Sequence, residues 1–215
     1  MSKNLTENIE VLTHSSIRIT GDAIIYVDPF HIDVAAKDAD FIFITHDHFD
    51  HFSPEDIEKV VKSDTTLVVP ERMKKQAVDI PCGQVITVKP GIQEQMGDIT
   101  VETVAAYNPL KPFHPKKNGW VGYILTVNGI RIYVAGDTDI TAENRAVSCD
   151  VALVPIGGTY TMDAKKAAEL INEIKPMATI PTHYGSVAGG RENEDVFRAH
   201  VDASIPVEIK MQRYA

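Results

Sequence analysis

The sequence predicts an α/β fold, in which β-strands alternate with α-helices along the chain. Short apolar runs such as 41–44 and 151–155 have the length and composition of buried strands. Ser53, which is followed by proline, and Asp163 each precede a stretch with the composition of a helix, and both are natural N-caps. Strands that alternate with helices in this order are typical of α/β layering.

Turn and cap signals give the order of the elements. The glycine-containing pairs at 21–22, 97–98 and 128–129 each separate two apolar runs and predict tight hairpins. The predicted strands are 9–13, 17–20, 23–27, 41–44, 67–69, 85–88, two segments within 92–106, 121–127, 130–135, 151–155, 178–181 and 207–211. The predicted helices are the stretch that follows Ser53, 71–77, 164–174 and 192–200.

Composition and charge limit the class of protein. The chain has 215 residues, of which 44% are hydrophobic and 24% charged, and this predicts a single globular domain spanning 1–215. The net charge is −9, from 21 basic and 30 acidic residues without a basic cluster, so nucleic acid is not an expected partner. Residues 1–10 are polar and no apolar run reaches about eighteen residues, which predicts a cytoplasmic protein without a membrane partner. Formation of a homo-oligomer is left open.

The most informative stretch lies directly after the predicted strand 41–44. Residues 46–51, HDHFDH, place three imidazoles and two carboxylates within six positions. Neutral imidazole and carboxylate are the usual ligands of zinc and similar cations, and a loop after a strand lets alternate side chains converge. The alternative is a polar turn that contains several histidines. The ligand types and their spacing favour a metal site.

The run 45–51, THDHFDH, resembles the T-H-x-H-x-D-H signature of the metallo-β-lactamase-fold hydrolases. The resemblance implies a four-layer αβ/βα sandwich, in which two sheets pack face to face and helices cover the outer faces. It also implies that His46 and His48 bind a first metal ion, and that Asp50 and His51 bind a second. Every ligand turn would then lie at one edge of the sandwich.

Three further ligands follow from the same resemblance. His114 lies in a proline-rich loop, where the family supplies the third histidine of the first metal. Asp137, in the run GDT, matches the family's bridging carboxylate, and His183, in the run HYG, completes the second metal. Three other residues near these motifs are interpreted as a turn residue, a core aromatic residue and a helix-capping or surface residue, with pocket lining as the alternative for the first two: Asn108, Trp120 and Asp139.

A narrower resemblance, to the ascorbate-6-phosphate-lactonase-like branch of the family, adds three candidates. His14 lies in the run THS, where that branch has G-H-S, and Asp28 begins an Asp-Pro step that the branch places near its metals. We expect Asp28 to fix the tautomer of a ligand imidazole. His14 and Tyr160 are candidate catalytic residues, and Tyr160, in the run GGTYTM, would donate a hydrogen bond to the substrate. The alternatives are polar turn residues and an ordinary packed tyrosine.

The ligand set predicts a metal-dependent hydrolase. Two divalent ions, expected to be Zn²⁺ with Mn²⁺ or Fe²⁺ as alternatives, would lower the pKa of a bridging water from about 16 towards 7 and so create hydroxide. The resemblance implies that Asp50 accepts a proton as the intermediate collapses. The expected substrate is a small anionic ester, lactone or phosphodiester, attracted by the metals and by the lysines that flank His114, namely Lys111, Lys116 and Lys117. Solvated lysines on a mobile loop are the alternative.

Two other functions are weighed against hydrolysis. The di-iron oxygen or nitric-oxide reductase branch of the family usually has glutamate where this chain has His48, and it is joined to a flavin domain for which 215 residues leave no room. A metal-bound sensor that binds a small metabolite without turnover is the non-enzymatic alternative. The sequence has no G-x-S-x-G motif or catalytic cysteine pattern that would compete with metal-dependent hydrolysis.

Overall fold

Two β-sheets form the centre of the computed structural model, which describes residues 5–214. The first sheet contains β1 (Ile9–Thr13), β2 (Ser16–Thr20), β3 (Ile24–Val27), β4 (Ala39–Phe43), β5 (Val61–Pro70), β6 (Gln84–Val88) and β13 (Met211–Arg213). The second contains β7 (Gln93–Met96), β8 (Ile99–Ala105), β9 (Val121–Val127), β10 (Ile130–Val134), β11 (Val151–Pro155) and β12 (Ala178–Thr182). The α-helices are α1 (Pro54–Val60), α2 (Lys74–Ala77), α3 (Ala142–Arg145), α4 (Ala164–Ile174) and α5 (Asn193–His200).

Each sheet combines hairpins with parallel strands. The first has the order β13-β1-β2-β3-β4-β5-β6, antiparallel from β1 to β3 and parallel from β3 to β6. The second has the order β12-β11-β10-β9-β8-β7, antiparallel from β7 to β10 and parallel from β10 to β12. The hairpins predicted at 21–22, 97–98 and 128–129 are confirmed, because each pair joins two antiparallel neighbours.

The two sheets pack face to face, and helices cover their outer faces. Phe43 of β4 points into the core between the sheets, whereas the preceding Ile42 packs with Ile57 of α1 on the other face. On the far side, Leu170 of α4 and Phe197 of α5 belong to the core that includes the second sheet. The predicted αβ/βα sandwich is therefore confirmed.

Local sequence signals determine where two helices begin. Ser53 Oγ accepts a hydrogen bond from the backbone N–H of Asp56 at 3.4 Å, and proline occupies the first turn of α1. Asp163 Oδ1 accepts from the backbone N–H of Lys166 at 2.9 Å and caps α4. Both predicted N-caps are confirmed. No helix within residues 5–214 has the length and apolar character needed to cross a bilayer.

The bounds predicted for the last strand, 207–211, are wrong, because only Met211 belongs to the strand that forms. Val207 makes an isolated bridge to Thr179, and the strand that forms is β13. Its position is set by a partner from the other end of the chain, since Met211 pairs with Val11 of β1. Local composition could not reveal the register of β13, because that register depends on so distant a partner.

The predicted helix 71–77 is divided into a 3-10 turn followed by α2.

Tyr123 of β9 connects the second sheet to the first, directly before the histidine-rich turn. Its hydroxyl donates a hydrogen bond to the carbonyl of Ile44 at 2.7 Å, and its ring lies 5.1 Å from that of Phe43. Because Tyr123→Phe leaves a buried carbonyl without its donor, we expect the free energy of unfolding to fall by about 1–2 kcal/mol in urea titrations. Tyr160→Phe, which changes a partly exposed tyrosine, is the control. Equal stability of the two variants would contradict this prediction.

Candidate metal centre

The loops after β4, β10 and β12, together with the loop that joins β8 to β9, meet at one end of the sandwich. They carry the seven predicted ligands, His46, His48, Asp50, His51, His114, Asp137 and His183. The carboxyl ends of parallel strands share an edge of a sheet, so loops that are distant in sequence can converge there. The side chains of these residues form two groups, described in turn below.

The first group contains three imidazoles and a carboxylate, from His46, His48, His114 and Asp137, with one potential ligand atom of each within 4.8 Å of the others. Nε2 of His46 lies 3.1 Å from Nδ1 of His48, and Nε2 of His114 lies 3.2 Å from Oδ2 of Asp137. Burial, followed by the charge of His51, holds the pKa of His46 well below its usual range. This keeps the ring in the neutral form that a metal ligand requires.

The second group brings His14 together with Asp50, His51 and His183, again with ligand atoms within 4.8 Å of one another. Oδ2 of Asp50 lies 3.1 Å from Nε2 of His14 and 3.7 Å from Nε2 of both His51 and His183. The structure thus places His14 among the predicted ligands of the second metal, as a fourth potential donor.

The carboxylate of Asp137, a member of the first group, also contacts the second group. Its Oδ1 is 3.3 Å from Nε2 of His51, and its Oδ2 is 3.0 Å from Nε2 of His183. The same Oδ2 is 3.2 Å from Nε2 of His114 in the first group. A single buried carboxylate is therefore in contact with imidazoles of both groups, which is the position required of a bridging ligand.

Several buried polar atoms in this region lie 3.0–3.3 Å from Asp137 or from its imidazole neighbours without a partner in hydrogen-bonding geometry, although buried polar atoms are nearly always satisfied. Within residues 5–214 these include Oδ1 of Asp137 and Nε2 of His51, His114 and His183. All four atoms belong to the two groups, and imidazole nitrogen with carboxylate oxygen is the donor set of zinc and related cations. The residues present therefore fit a divalent metal ion in each group.

Asp28 is buried and fixes the orientation of His51. Its Oδ2 lies 2.7 Å from Nδ1 of His51, while the backbone N–H and the hydroxyl of Thr45 donate to its two oxygens at 2.8 and 2.6 Å. With Nδ1 held by Asp28, Nε2 of His51 is directed towards Asp137. Asp28 therefore lies within direct hydrogen-bond reach of a predicted ligand.

His14 is also held on both ring nitrogens. Nδ1 lies 3.0 Å from the hydroxyl of Ser186, Nε2 contacts Asp50, and the ring centroid is 3.9 Å from that of His183. His14, Asp28 and His183 all have left-handed backbone conformations, with φ of 51°, 47° and 55°. Non-glycine residues rarely adopt this region, and where they do they cluster at functional sites.

Burial and neighbouring charges shift the ionisation of the second group. Burial, followed by the charge of His183, lowers the pKa of His14 to about 4. Burial alone would raise the pKa of Asp50, but the hydrogen bond to His14 and the charge of His51 lower it below its usual range. Burial opposes charge on Asp137 too, yet His183 and His51 hold its pKa well below the ordinary value. Both carboxylates are thus ionised at neutral pH and available as ligands.

Asn108 and Trp120 both contact imidazoles of the first group, and Trp120 is also buried, as predicted for a core aromatic residue. Asn108, interpreted as a solvent-facing turn residue, is buried, and its Oδ1 lies 2.8 Å from Nδ1 of His114 and accepts from the backbone N–H of that residue. The ring of Trp120 lies 5.2 Å from that of His46 and 5.0 Å from that of His48. Both side chains therefore position the imidazoles of the first group.

Asp139 was wrongly interpreted as a helix cap or surface residue. It is buried, its Oδ1 accepts a hydrogen bond from Lys111 at 2.7 Å, and the N-cap of α3 is Thr141. Lys111 also donates to the carbonyl of Gly158 at 3.2 Å. Lys111 therefore ties the His114 loop to the turn after β11, and it is not a free positive charge at the rim.

The backbone of Gly157 lies close to His183. A Cβ atom at Gly157 would lie 2.4 Å from the carbonyl oxygen of His183 and 3.1 Å from its Nδ1, so only glycine fits there. Tyr160, further along this loop, is 36% exposed and its ring lies 4.8 Å from that of Phe113. Both rings line a cavity of about 440 Å³ above the candidate metal centre, together with Asp47, His48, Phe49, Asp50, Asp137 and Val187.

Comparison with known proteins identifies the family. Residues 8–183 match the model of the beta-lactamase superfamily domain. A UPF0173 metal-dependent hydrolase of Thermoplasma acidophilum is 30% identical over 211 residues, covering 90% of this chain and 91% of the relative. A crystal structure from Parabacteroides distasonis, of a protein described as a metal-dependent hydrolase, has 33% identity and a TM-score of 0.82, covering 95% of this chain and 93% of the other.

A more distant structure agrees in fold alone. Igni18, a metallo hydrolase of Ignicoccus hospitalis, is 21% identical with a TM-score of 0.76, and 94% of each chain is covered. The family model, the similar proteins and the two-sheet architecture all indicate the same family and fold. The chain therefore belongs to the UPF0173 metal-dependent hydrolase family, within the metallo-β-lactamase superfamily.

Proposed function

We propose that this protein is a hydrolase that uses two divalent metal ions to cleave a small ester, lactone or phosphodiester. The observation that carries the proposal is the position of Asp137, whose carboxylate lies within 3.3 Å of imidazoles from both groups. His46, His48 and His114 would hold one ion with Asp137. The other ion would be held with Asp137 by the remaining predicted ligands, Asp50, His51 and His183.

The side chains around the metals have distinct tasks in this proposal. When bound, a pair of divalent ions supplies an activated water nucleophile and stabilises the developing negative charge on the substrate. Asp50 takes up the proton as the leaving group departs, and His14 holds Asp50 in place through the 3.1 Å contact. Asp28 keeps the tautomer of His51 fixed. Tyr160 donates a hydrogen bond to an oxygen of the substrate at the mouth of the cavity.

The substrate class and metal identity belong to the same proposal. Zn²⁺ is the expected ion, with Mn²⁺ and Fe²⁺ as alternatives, because nitrogen and carboxylate donors accept all three. An anionic lactone, as in the ascorbate-6-phosphate-lactonase-like branch, stays a prediction. Lys111 and Lys116 give it little support, since they are paired with Asp139 and Glu143 at 2.7 and 2.6 Å. The single domain and the cytoplasmic location also stay predictions, and formation of a homo-oligomer is left open here too.

The test is metal analysis combined with a substrate panel. We expect purified protein to contain about two metal ions per chain, and the zinc- or manganese-loaded form to hydrolyse at least one of a set of lactones, phosphodiesters and thioesters. Structured RNA is included in the panel and is expected to remain intact. Oxygen consumption without hydrolysis would favour the oxidoreductase instead, and tight metabolite binding without product would favour the sensor.

A matched pair of histidine variants tests the ligand assignment. His114→Ala should reduce the metal content from about two ions to about one per chain, because the first group loses a buried donor. His200→Ala is the control, since His200 is exposed on α5 and its Nδ1 lies 2.7 Å from the carbonyl of Val196. Equal metal content in the two variants, measured by elemental analysis, would refute the role of His114.

A further inference from the structure

The cavity above the candidate metal centre has a polar floor and apolar walls. Asp50 and Asp137 contribute to the floor, whereas Phe49, Phe113 and Val187 contribute to the walls. Its volume of about 440 Å³ lies within the range of roughly 300–1,000 Å³ that is typical of small-molecule sites. Whatever occupies this cavity therefore contacts both the metal ligands and the apolar side chains.

The three apolar side chains, here called the apolar collar (Phe49, Phe113 and Val187), face solvent at the mouth of the cavity. Phe49 is 69% exposed, Phe113 40% and Val187 37%. A single exposed apolar residue is ordinary, but several around one cavity mark a binding surface. Exposure of these apolar side chains to water costs free energy, and contact with an apolar part of a ligand would recover it.

Each member of the apolar collar comes from a loop that carries a metal ligand. Phe49 follows His48 directly, and Phe113 precedes His114 directly. Val187 lies in the loop after β12, which begins at His183. The collar is therefore fixed relative to the metal centre by the same backbone that positions the ligands.

The cavity offers little to attract a second negative charge on the substrate. Of the described residues that line it, none is a lysine or an arginine. Two of the three lysines that flank His114 are engaged elsewhere, Lys111 by Asp139 and Lys116 by Glu143, and the third, Lys117, is exposed and does not line the cavity. A negative charge on the substrate would therefore be recognised only by the metal centre, whereas the cavity walls contact apolar parts of the substrate.

We infer that the substrate is an ester or lactone that carries an uncharged alkyl or aryl substituent, and this inference rests on the proposed hydrolase function. The scissile carbonyl contacts the metal centre while the substituent packs against the apolar collar. Water adds to the carbonyl carbon, the bond from that carbon to the leaving oxygen breaks, and one proton of the water passes by way of Asp50 to the leaving oxygen. The products are a carboxylic acid and an alcohol, joined in one molecule when the substrate is a lactone.

The test compares three γ-lactones that differ in one substituent, using the zinc- or manganese-loaded protein. These are γ-butyrolactone, γ-nonalactone with its pentyl chain, and γ-carboxy-γ-butyrolactone with its carboxylate. We expect kcat/KM to be at least about tenfold higher for γ-nonalactone than for either of the others, since each buried methylene contributes to discrimination. Equal values, or a preference for the carboxylate, would overturn the inference.

Variants of the apolar collar test whether its side chains cause the preference for γ-nonalactone. Phe113→Ala and Val187→Ser should each reduce the ratio of kcat/KM for γ-nonalactone over γ-butyrolactone by several-fold, and Phe113→Leu should retain most of it. Leu110→Ala is the control, because Leu110 lies in the same loop at 96% exposure and does not line the cavity. An unchanged ratio in Phe113→Ala and Val187→Ser would show that the collar does not bind the substituent.

A binding measurement separates this inference from the hydrolase proposal. If no lactone is hydrolysed, the proposed function fails on these substrates, but calorimetric titration of the metal-loaded protein with acetate and phenylacetate still tests the collar. Tighter binding of phenylacetate in the wild type, lost in Phe113→Ala, would support the apolar collar. Equal affinities for the two carboxylates would overturn it.

Discussion

Asp137→Asn is expected to lose most of its bound metal and at least about 10³-fold in kcat/KM. The amide keeps the size of the side chain but replaces one of the two potential ligand oxygens with a nitrogen that is a hydrogen-bond donor and does not bind a metal ion. It also removes a buried negative charge that lies within 3.3 Å of His51, His114 and His183. Without the metals, the negative charge that develops in the transition state is less stabilised, and the activation free energy rises by several kcal/mol. This rise corresponds to the expected fall in kcat/KM.

The measurements for this variant are metal content by elemental analysis and hydrolysis of the best substrate of the panel. Asp98→Asn is the matched control, because Asp98 is an exposed residue in the turn between β7 and β8 and lies outside both groups. If Asp137→Asn kept the wild-type metal content, Asp137 would not be a bridging ligand.

Asp28→Asn should weaken metal binding in the second group by about 10- to 100-fold, although Asp28 is not itself a proposed ligand. Its two oxygens accept from the backbone and hydroxyl of Thr45 and face Nδ1 of His51, and an amide offers only one oxygen for these contacts. The change leaves buried donors unpaired, so the free energy of unfolding should also fall by about 1–3 kcal/mol.

Chelator competition measures the affinity of the second group, and urea titration measures the stability. Asp33→Asn is the control, since Asp33 lies in the loop after β3 and its exposed carboxylate contacts Arg213 instead of the metal centre. A metal affinity in Asp28→Asn equal to that of the wild type would show that Asp28 has only a structural role.

Residues that are close in sequence were the easiest part of the candidate site to predict. His46, His48, Asp50 and His51 lie within six positions after a strand, so their convergence follows from local structure. The hairpin at 128–129 was equally local.

Partners that are distant in sequence could not be predicted in this way. Ser186 contacts His14 across 172 positions. Asn108 and His114 are close in sequence, but the loop that holds them has no regular pattern from which their contact could be predicted. Asp139 was misinterpreted for the same reason, because its partner Lys111 is 28 positions away in another loop. Composition identifies such residues as polar, but only the packing of loops determines which polar groups meet.

The left-handed backbone at His14, Asp28 and His183 has a consequence for the evolution of this protein. These are three residues where glycine would be the more stable choice for the backbone, yet each carries a side chain used in the second group. Glycine at these positions would relieve the backbone strain only by removing buried contacts of the side chains, so strain and side-chain contacts oppose one another in this half of the site. The first group is under no such conflict, since His46, His48 and His114 have ordinary φ angles. The two halves of the centre should thus respond differently when the chain is evolved for heat resistance.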